Sequence, residues 1–511
     1  METPPNPITD PITDEEYKLN CILAILIKGY LKQKTVLVMR SLSKRILSLS
    51  QIYPLKVKIH SVEGLKQIKI MVSRNRIKIR KLSSEVKIDS ALEILEGITK
   101  ILEGITELTF RYISNYEHEM TFKSILPSSI KKLVFSLGYF EPNIFSKIPE
   151  SITHLTIRYN VMNQYYQIAS PDSILVCPKD LTLNLTHLTH LTLGYYFNYR
   201  VESLPQTITH LVFGDSFNKE INIGNLPPNL THLFCGNSFN KKVNNLPPNI
   251  THLSLGNSFT KSIDDIPLSI THLSFGHSFN RSINNLSSRS NLKSLTLGDL
   301  FGQPLEKLPS NLQCLNIGRE FNSRLLIPLS LVSLIFCWGS LFNRKVEFAF
   351  QDQAIPSLRH LTFGKYFNLL IDDLPLSLTH LTLREQFNKR VDHLPSNLTH
   401  LIFGDWFNQP VNHLPQSLIY LEFGNLFNKK VKNLPSNLHT LIFGPRSNLI
   451  RNKLPQKIRN LTVPTEMVDW VGIPDSVTSL YTIVRLPGYR EEDVITLKWT
   501  RDYNGRRIQC V

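Results

Sequence analysis

One short motif recurs along most of this 511-residue chain, and this repetition constrains the fold more than any other feature. The segment LPPNLTHLFCGNSFNKKV occupies residues 226–243, LPPNITHLSLGNSFTKSI occupies residues 246–263, and LPSNLTHLIFGDWFNQPV occupies residues 394–411. The Leu after the His recurs mostly every 20 or 22 residues. A period of this length indicates stacked units, here called coils, that each pack on their neighbours.

Each coil has the pattern of a short strand followed by a turn. Leu253 and Leu255 are two residues apart and so point to the same side of a strand, whereas His252 points to the opposite side. Gly256 then permits a turn without a Cβ penalty, and Phe259 is the bulkiest apolar side chain of the coil. Too few residues remain for a helix before the next strand. We therefore predict a repeat solenoid with a parallel β-sheet on one face and mostly non-helical returns.

The repeated unit resembles the repeats of two related families. Its L-x-x-L-x-L core resembles the leucine-rich repeat. The longer pattern, LPSNLTHLIFG at residues 394–404 followed by FNQPV at residues 407–411, resembles the FNIP repeat. The FNIP family is similar to leucine-rich repeats and is found mainly in large DNA viruses and social amoebae. The resemblance covers residues 105–480 and implies a leucine-rich-repeat-like solenoid.

Composition and apolar patterning predict the segments at the two ends of the chain. The first residues are acidic and Pro-rich, which predicts disorder rather than a signal peptide. The last residues alternate apolar and polar side chains around Asn504-Gly505, which predicts a β-hairpin that closes the end of the sheet. We expect five segments: a disordered N-terminus (1–14), a helical segment (15–51), degraded basic first coils (52–104), FNIP-type repeats (105–480) and a C-terminal hairpin cap (481–511).

The segment 15–51 contains apolar residues at helical spacing, and two interpretations of it stay open. One is a short helical N-terminal cap that shields the first coil. The other is an F-box, which the stretches KQKTVL (residues 32–37) and RSLSKRILSL (residues 40–49) resemble. The F-box resemblance implies that four residues present an apolar surface to the small adaptor subunit of a cullin-type ubiquitin ligase. They are Ile22, Leu26, Leu31 and Leu42.

An Asn directly follows the Phe in ten coils. A buried amide carries hydrogen-bond donors and acceptors for the backbone of its own turn and of the next coil. We therefore predict a structural role, in which the Asn column holds the coils in register. Its members are Asn198, Asn218, Asn240, Asn280, Asn322, Asn343, Asn368, Asn388, Asn408 and Asn428.

Ten of the sixteen His residues stand directly before the predicted anchor Leu of a coil. They are His154, His187, His190, His210, His232, His252, His272, His360, His380 and His400. We expect an outward column of neutral imidazoles, because protonating many adjacent rings would be repulsive. Its role is either structural, as a stack, or that of a binding row for acidic or aromatic ligands, for which seven positions are candidates. These are His210, His232, His252, His272, His360, His380 and His400. Tetrahedral zinc is disfavoured because a linear row does not converge.

The two residues between the Gly and the Phe vary in nearly every coil while the frame repeats. They lie where the strand ends, on the rim of the predicted sheet. Exposed aromatic residues beside charges are typical of protein interfaces, although drift at a tolerant turn would also produce variation. The candidate partner-binding residues are Tyr195, Tyr196, Lys365, Tyr366, Asp405 and Trp406.

No catalytic motif is found in the sequence. It contains no Gly-x-Ser-x-Gly, His-Glu-x-x-His, phosphate-binding loop or kinase pattern, so we predict no enzyme, no cofactor, no metal and no small-molecule substrate. The six Cys are scattered, which is typical of reduced intracellular proteins. No apolar run is long enough to cross a bilayer. We expect a monomer in the cytoplasm, or in the host cytoplasm if the protein is viral.

The charge of the chain leaves two functions open. The formal net charge is +16, and residues 66–87 carry eight Lys or Arg against one acid. The first function is a non-catalytic protein–protein interaction scaffold, with recruitment of substrates to a cullin-type ligase as its specific form. The alternative is electrostatic binding of nucleic acid or acidic membrane through the basic N-terminal region.

Overall fold

The computed structural model describes the chain in eleven ranges. They are residues 55–59, 79–87, 105–112, 126–137, 148–159, 185–348, 357–447, 454–464, 473–485, 494–501 and 507–510, with positions 202–203, 222–223, 245, 432 and 446 excepted. The chain forms two compact units, residues 1–250 and residues 251–511. Each unit is described by itself below.

The N-terminal unit, residues 1–250, contains a sheet of parallel strands. They are β1 (Leu55–Ile59), β2 (Ile79–Lys87), β3 (Glu107–Tyr112), β4 (Lys132–Leu137), β5 (His154–Tyr159), β6 (His190–Leu193), β7 (His210–Val212) and β8 (His232–Phe234). Each strand pairs with the next one in sequence, as stacked coils require. The register aligns the predicted anchor Leu of each coil with that of the next, as with Leu191, Leu211 and Leu233.

The C-terminal unit, residues 251–511, continues the same pattern. Its strands are β9 (His252–Leu255), β10 (His272–Phe275), β11 (Ser294–Thr296), β12 (Cys314–Ile317), β13 (Leu326–Ile327), β14 (Ser333–Phe336), β15 (Glu347–Phe348), β16 (His360–Thr362), β17 (His380–Thr382), β18 (His400–Ile402), β19 (Tyr420–Glu422), β20 (Thr440–Ile442), β21 (Asn460–Pro464), β22 (Ser479–Arg485), β23 (Val494–Arg501) and β24 (Arg507–Cys510). The main sheet is parallel from β9 to β22, with β13 and β15 forming a separate parallel pair. The last two strands reverse direction, because β23 pairs antiparallel with both β22 and β24.

The core of each coil consists of its inward apolar side chains. Leu381 and Leu383 on β17 are both buried, and Phe387 is fully buried behind them. In the C-terminal unit the Phe rings of successive coils stack face to face, with centroids 6.2 Å apart for Phe367–Phe387 and 6.0 Å apart for Phe387–Phe407. A continuous aromatic column therefore stabilises the coils against each other.

The returns between the strands are turns and irregular segments. The one helix in the described part of the C-terminal unit is a single 3₁₀ helix, Asn284–Ser288. The predicted solenoid, with a parallel sheet and mostly non-helical returns, is confirmed. The predicted helical cap or F-box at residues 15–51 and the Asn504-Gly505 turn lie outside the described residues. The five segment boundaries stay predictions.

A Gly follows the strand in most coils, and these residues are here called the Gly column. The reason for Gly at this position differs from the expected one. In the described residues only Gly224 has a positive φ, of 86°, so a left-handed turn does not explain the column. A Cβ on Gly404 would instead lie 2.1 Å from the backbone carbon of Arg384 in the preceding coil. The same close approach occurs at Gly214, whose Cβ would lie 2.0 Å from the carbonyl oxygen of Gly194. Gly is favoured there because neighbouring coils nearly touch, although Arg384 occupies the same position in one coil.

Among the described residues, no helix has the length and apolar character needed to cross a membrane.

Candidate interaction surfaces

The Asn column forms a ladder between coils, but not from inside the core. The Oδ1 atom of Asn388 accepts the backbone N–H of Asn408 at 2.9 Å, and Oδ1 of Asn368 accepts that of Asn388 at 3.0 Å. The expectation of buried amides was wrong, because Asn388 is exposed and Asn368 and Asn408 are half-buried. Amide acceptors linked in the same way are Asn198, Asn218, Asn280, Asn322, Asn343 and Asn408.

The His side chains form stacked columns on the outer face of each sheet. In the N-terminal unit the rings of His154, His190, His210 and His232 are half-buried and stack with successive centroids 4.0 Å apart. In the C-terminal unit His252 and His272 stack at 4.2 Å. The rings of a second group stack there, with His380–His400 at 4.1 Å and Tyr420 next to His400 at 5.7 Å.

In most coils of the His columns, a Thr hydroxyl beside the ring fixes the position of the imidazole proton. The hydroxyl of Thr189 donates to the carbonyl oxygen of Thr153 at 3.1 Å, and its oxygen lies 2.9 Å from Nδ1 of His190. A carbonyl can only accept, so the single hydroxyl proton points to it and the Thr oxygen accepts from Nδ1–H. The pairs Thr209–His210, Thr271–His272, Thr379–His380 and Thr399–His400 repeat this arrangement.

These hydrogen bonds place the imidazole proton on Nδ1 and leave Nε2 unprotonated. Each sheet face therefore presents hydrogen-bond acceptors that carry no net charge. The pKa values agree with neutral rings: burial and the charges of neighbouring His residues lower the pKa of His190 to about 4. Burial is also the main cause of the lowered pKa values of His154, His210, His272, His380 and His400.

Two parts of the predicted His column depart from the pattern. His187 lies in a turn before β6 and is exposed, so its place in the column was predicted wrongly: the Leu that follows it is not the strand anchor. His360 does belong to the column, but its ring is tilted by 31° against His380. Between His272 and His360 the register places Ser294, Cys314 and Ser333 at the His position.

The variable positions lie on the rim of each sheet, in the turn after the strand. In the N-terminal unit Tyr195 and Tyr196 are 54% and 46% exposed, and their rings touch edge to face at 4.7 Å. Adjacent coils of the rim are joined by backbone hydrogen bonds, such as the one from Ser216 N–H to the Tyr195 carbonyl at 2.8 Å. The rim is thus a regular strip of backbone that carries irregular side chains.

The rim of the C-terminal unit brings three predicted residues together with two that were missed. Lys365 and Tyr366 lie one coil after Trp338, and the Lys365 ammonium is 4.9 Å from the centroid of the Trp338 ring. The Trp338 indole N–H donates to Oε1 of Glu385, two coils away. Trp406 follows, and its backbone N–H donates to the backbone carbonyl of Glu385 at 2.9 Å. Trp338 and Trp406 are each 54% exposed.

Trp338 and Glu385 were missed because their coils break the repeat. In the stretch FCWGSLF at residues 336–342 the two Phe residues are six positions apart, whereas they are usually four apart, as in FGKYF at residues 363–367. Glu385 follows Arg384, which replaces the usual Gly. Both departures are visible in an alignment of the repeats, and they could have identified this part of the rim.

The remaining predictions concern the adaptor-binding residues and metal ligands. The residues proposed to bind a ligase adaptor, Ile22, Leu26, Leu31 and Leu42, lie outside the described residues. Within the described ranges, no three His, Cys, Asp or Glu side chains converge as metal ligands.

Comparison with solved structures defines the class of protein. CroV588, described as a novel circular leucine-rich-repeat protein, is similar over 76% of this chain and 67% of its own, with 28% identity and a TM-score of 0.51. YopM from Yersinia enterocolitica WA-314 (18% identity, TM-score 0.40) covers 79% of this chain and 86% of its own. The leucine-rich effector YopM from Yersinia pestis (20% identity, TM-score 0.35) covers 58% and 83%. The fold is a leucine-rich-repeat-like solenoid.

The repeat itself identifies the protein more closely. The FNIP Repeat family matches residues 200–238 and 387–426, one stretch in each unit. The chain contains FNIP repeats, as its sequence predicted. No curated protein matches this sequence. Repeat families of this leucine-rich-repeat-like kind are generally non-enzymatic and are consistent with protein-binding scaffolds.

Proposed function

We propose that this protein is a non-catalytic scaffold that binds other proteins through the rims of its sheets. The observation that carries this proposal is the rim cluster of the C-terminal unit, where Trp338 and Trp406 are each 54% exposed beside Lys365 and Glu385. Large aromatic side chains beside fixed charges are the groups that dominate protein interfaces. The predicted partner residues Tyr366 and Asp405 belong to the same strip of rim.

The rim residues are held in place before any partner binds. The Trp338 indole is fixed by its hydrogen bond to Glu385, and the backbone of Lys365 donates to the Trp338 carbonyl at 2.8 Å. Little side-chain freedom is therefore lost on binding, which favours affinity. In the N-terminal unit, Tyr195 and Tyr196 offer a second pair of aromatic anchors.

Affinity capture from cells tests the proposal. Tagged full-length protein is compared with the Trp338→Ala/Trp406→Ala variant in a quantitative pull-down, and we expect specific proteins to be depleted at least about tenfold with the variant. The matched control is Leu268→Ala/Leu376→Ala, which removes two exposed apolar residues that follow Pro267 and Pro375 on the returns. The proposal fails if the rim variant and the control retain the same proteins.

The adaptor role for a cullin-type ligase is the specific form of this proposal. It is supported by the F-box resemblance of residues 15–51 and by a solenoid that would present the captured protein. The full chain should co-purify with the small adaptor subunit of the ligase, and deletion of residues 1–50 should abolish that interaction while the remainder stays folded. An aggregated remainder with no adaptor bound at any stage would support the cap interpretation instead.

Nucleic acid or acidic membrane is the alternative ligand class. The backbone register aligns Lys56 with Lys81, Lys81 with Glu107, and Glu107 with Lys132, so three of the four positions in this column of the first strands are basic. Binding of this kind weakens steeply with salt, by roughly a thousandfold or more between 50 and 200 mM for six or more phosphate contacts. Capture through aromatic rim residues should change little over that range, so a salt titration separates the two functions.

We also propose a monomeric, cytoplasmic protein with no turnover of its own. Free thiols at Cys235, Cys314 and Cys337 suit a reducing compartment. Burial raises the pKa of Cys235 well above its usual range, which suits an inert core thiol rather than a nucleophile. Light scattering on the purified chain tests the monomer.

A further inference from the structure

The rim of the C-terminal unit already holds one cation on an aromatic ring. The Lys365 ammonium packs on Trp338, and the edge of that indole donates to the Glu385 carboxylate. An ammonium over an aromatic face with a carboxylate at the ring edge is an arrangement that holds cationic side chains well. This internal pair shows what the rim can bind.

Trp406, like Trp338, is an exposed indole near a carboxylate, but no cation from the described ranges packs on it. Its ring is 54% exposed, and among the described residues neither an aromatic ring nor a Lys or Arg side chain packs on it. Asp405 precedes it in the chain, and Oδ1 of Asp405 accepts the backbone N–H of Asn425 at 3.3 Å. This bond fixes the carboxylate of the residue that directly precedes Trp406. Trp406 therefore lies between an acidic neighbour and solvent.

The adjoining face of the sheet is also rich in acceptors. Glu422 lies on the outward side of β19 and accepts the hydroxyl proton of Tyr420. Burial and this bond to Glu422 raise the pKa of Tyr420, so the phenol stays protonated and remains a donor to the carboxylate. The Nε2 atoms of His380 and His400 add uncharged acceptors, because their Nδ1 atoms donate to Thr379 and Thr399.

Two cations lie in the coils before Asp405: Lys365, which is engaged with Trp338, and Arg384, whose Nε atom is buried. The remaining basic residues between His380 and Val431 belong to the segments that follow the buried Phe residues. They are Lys389, Arg390, Lys429 and Lys430.

We propose that the Trp406 surface, formed by His380, His400, Asp405, Trp406 and Glu422, binds a basic segment of a partner protein. A Lys or Arg side chain packs on the Trp406 indole beside Asp405, and further donors of the segment reach Glu422 and the Nε2 atoms. This inference rests on the proposed function, since it assigns the chemistry of the partner. Charge complementarity of this kind selects partners and is felt over about 8 Å at physiological salt.

Fluorescence anisotropy with the full-length chain tests the proposal. The probe is a labelled peptide of Arg residues spaced by Gly-Ser, and its counterpart carries Glu in place of Arg. We expect saturable binding of the basic probe at about 0.15 M salt. Trp406→Ala and the double variant Asp405→Asn/Glu422→Gln should each weaken it roughly tenfold. The two amide substitutions keep the acceptors for Asn425 and Tyr420, so the fold is retained.

Two further variants test whether the Nε2 acceptors contribute to binding and whether substitution elsewhere on the surface affects it. His380→Phe/His400→Phe keeps the stacked rings but removes the Nε2 lone pairs, and it should weaken the basic probe about threefold. Leu376→Ala, at an exposed residue on a return, should leave binding unchanged. Thermal melting of each variant verifies that it is folded.

The proposal is overturned if the basic probe does not saturate, if the acidic probe binds as tightly, or if the Trp406 and carboxylate variants bind like the unaltered protein. These outcomes differ from failure of the scaffold function. If Trp338→Ala/Trp406→Ala still abolishes capture from cells, the rim binds proteins and only the assigned partner chemistry is wrong.

Discussion

At the scale of single residues, the spacing between coils decides which substitutions the chain tolerates. Residues of the Gly column such as Gly214 and Gly404 lie against the backbone of the preceding coil, whereas Gly302 occupies the Asn position one residue after the Phe. An added Cβ at Gly302 would meet nothing closer than 3.9 Å, the carbonyl oxygen of Glu320. Residues of one type therefore have different importance according to their place in the coil.

This difference gives a direct prediction. Gly404→Ala should destabilise the C-terminal unit by about 1–3 kcal/mol or more, because its Cβ would lie 2.1 Å from the Arg384 backbone and the coils would have to separate. Urea denaturation measures the loss. Gly302→Ala is the matched control and should change stability by less than about 0.5 kcal/mol. Equal effects of the two variants would contradict close approach as the reason for the Gly column.

The exposed Asn ladder predicts a small effect for each residue that accumulates along the column. Each Asn→Ala change removes one acceptor of a backbone N–H, and water can replace it in part. A cost at the low end of about 0.5–1.5 kcal/mol per bond follows. The variant Asn368→Ala/Asn388→Ala/Asn408→Ala should lose about 1.5–3 kcal/mol in urea denaturation. The corresponding Asn→Asp variant keeps the Oδ1 acceptors and should lose less; equal losses would argue against the ladder.

At the scale of the strand and its neighbours, the His columns link stability to pH. His190 has a pKa of about 4 in the folded chain and 6.5 as an ordinary histidine. The unfolded chain therefore binds more protons between these values, and the stability from the neutral ring is complete above about pH 6.5 and is lost as the pH falls toward 4. Acid adds positive charge to rings that stack 4.0 Å apart.

His190→Gln should therefore flatten the pH dependence. Urea midpoints measured from pH 7.5 to pH 4 should fall less steeply for His190→Gln than for the unaltered protein. Carboxylates titrate in both proteins, so the difference between their two curves of urea midpoint against pH gives the contribution of His190. His393→Gln, which removes an exposed histidine outside the columns, is the control. Parallel curves for His190→Gln and the unaltered protein would show that the stack contributes no pH dependence.

At the scale of each unit, every coil is stabilised by the coil before it and the coil after it. Phe387 is fully buried and stacks on Phe367 and Phe407. Phe387→Ala should cost about 3–5 kcal/mol, and in a linear array that cost is felt first by the adjacent coils. Hydrogen exchange should show the loss of amide protection concentrated in β16, β17 and β18. A uniform loss across residues 251–511 would contradict this local coupling.

The sequence determined the solenoid, because its repeat places the same inward and outward side chains in every coil. The anchor Leu column, the buried Phe and the outward His all follow from a period-2 strand inside a unit of about twenty residues. These features depend on neighbours a few positions apart or exactly one repeat apart. Alignment of the repeats alone therefore finds them.

Contacts that depend on the exact distance between coils were decided only by the tertiary structure. The exposure of the Asn amides and the cause of the Gly column depend on how closely successive backbones approach. The bond from Trp338 to Glu385 joins residues 47 positions apart, across two coils that both break the repeat. The imidazole tautomer depends on a Thr hydroxyl that reaches back to the preceding coil. Periodicity fixes which residues share a column, but only the folded backbone fixes the atoms that meet.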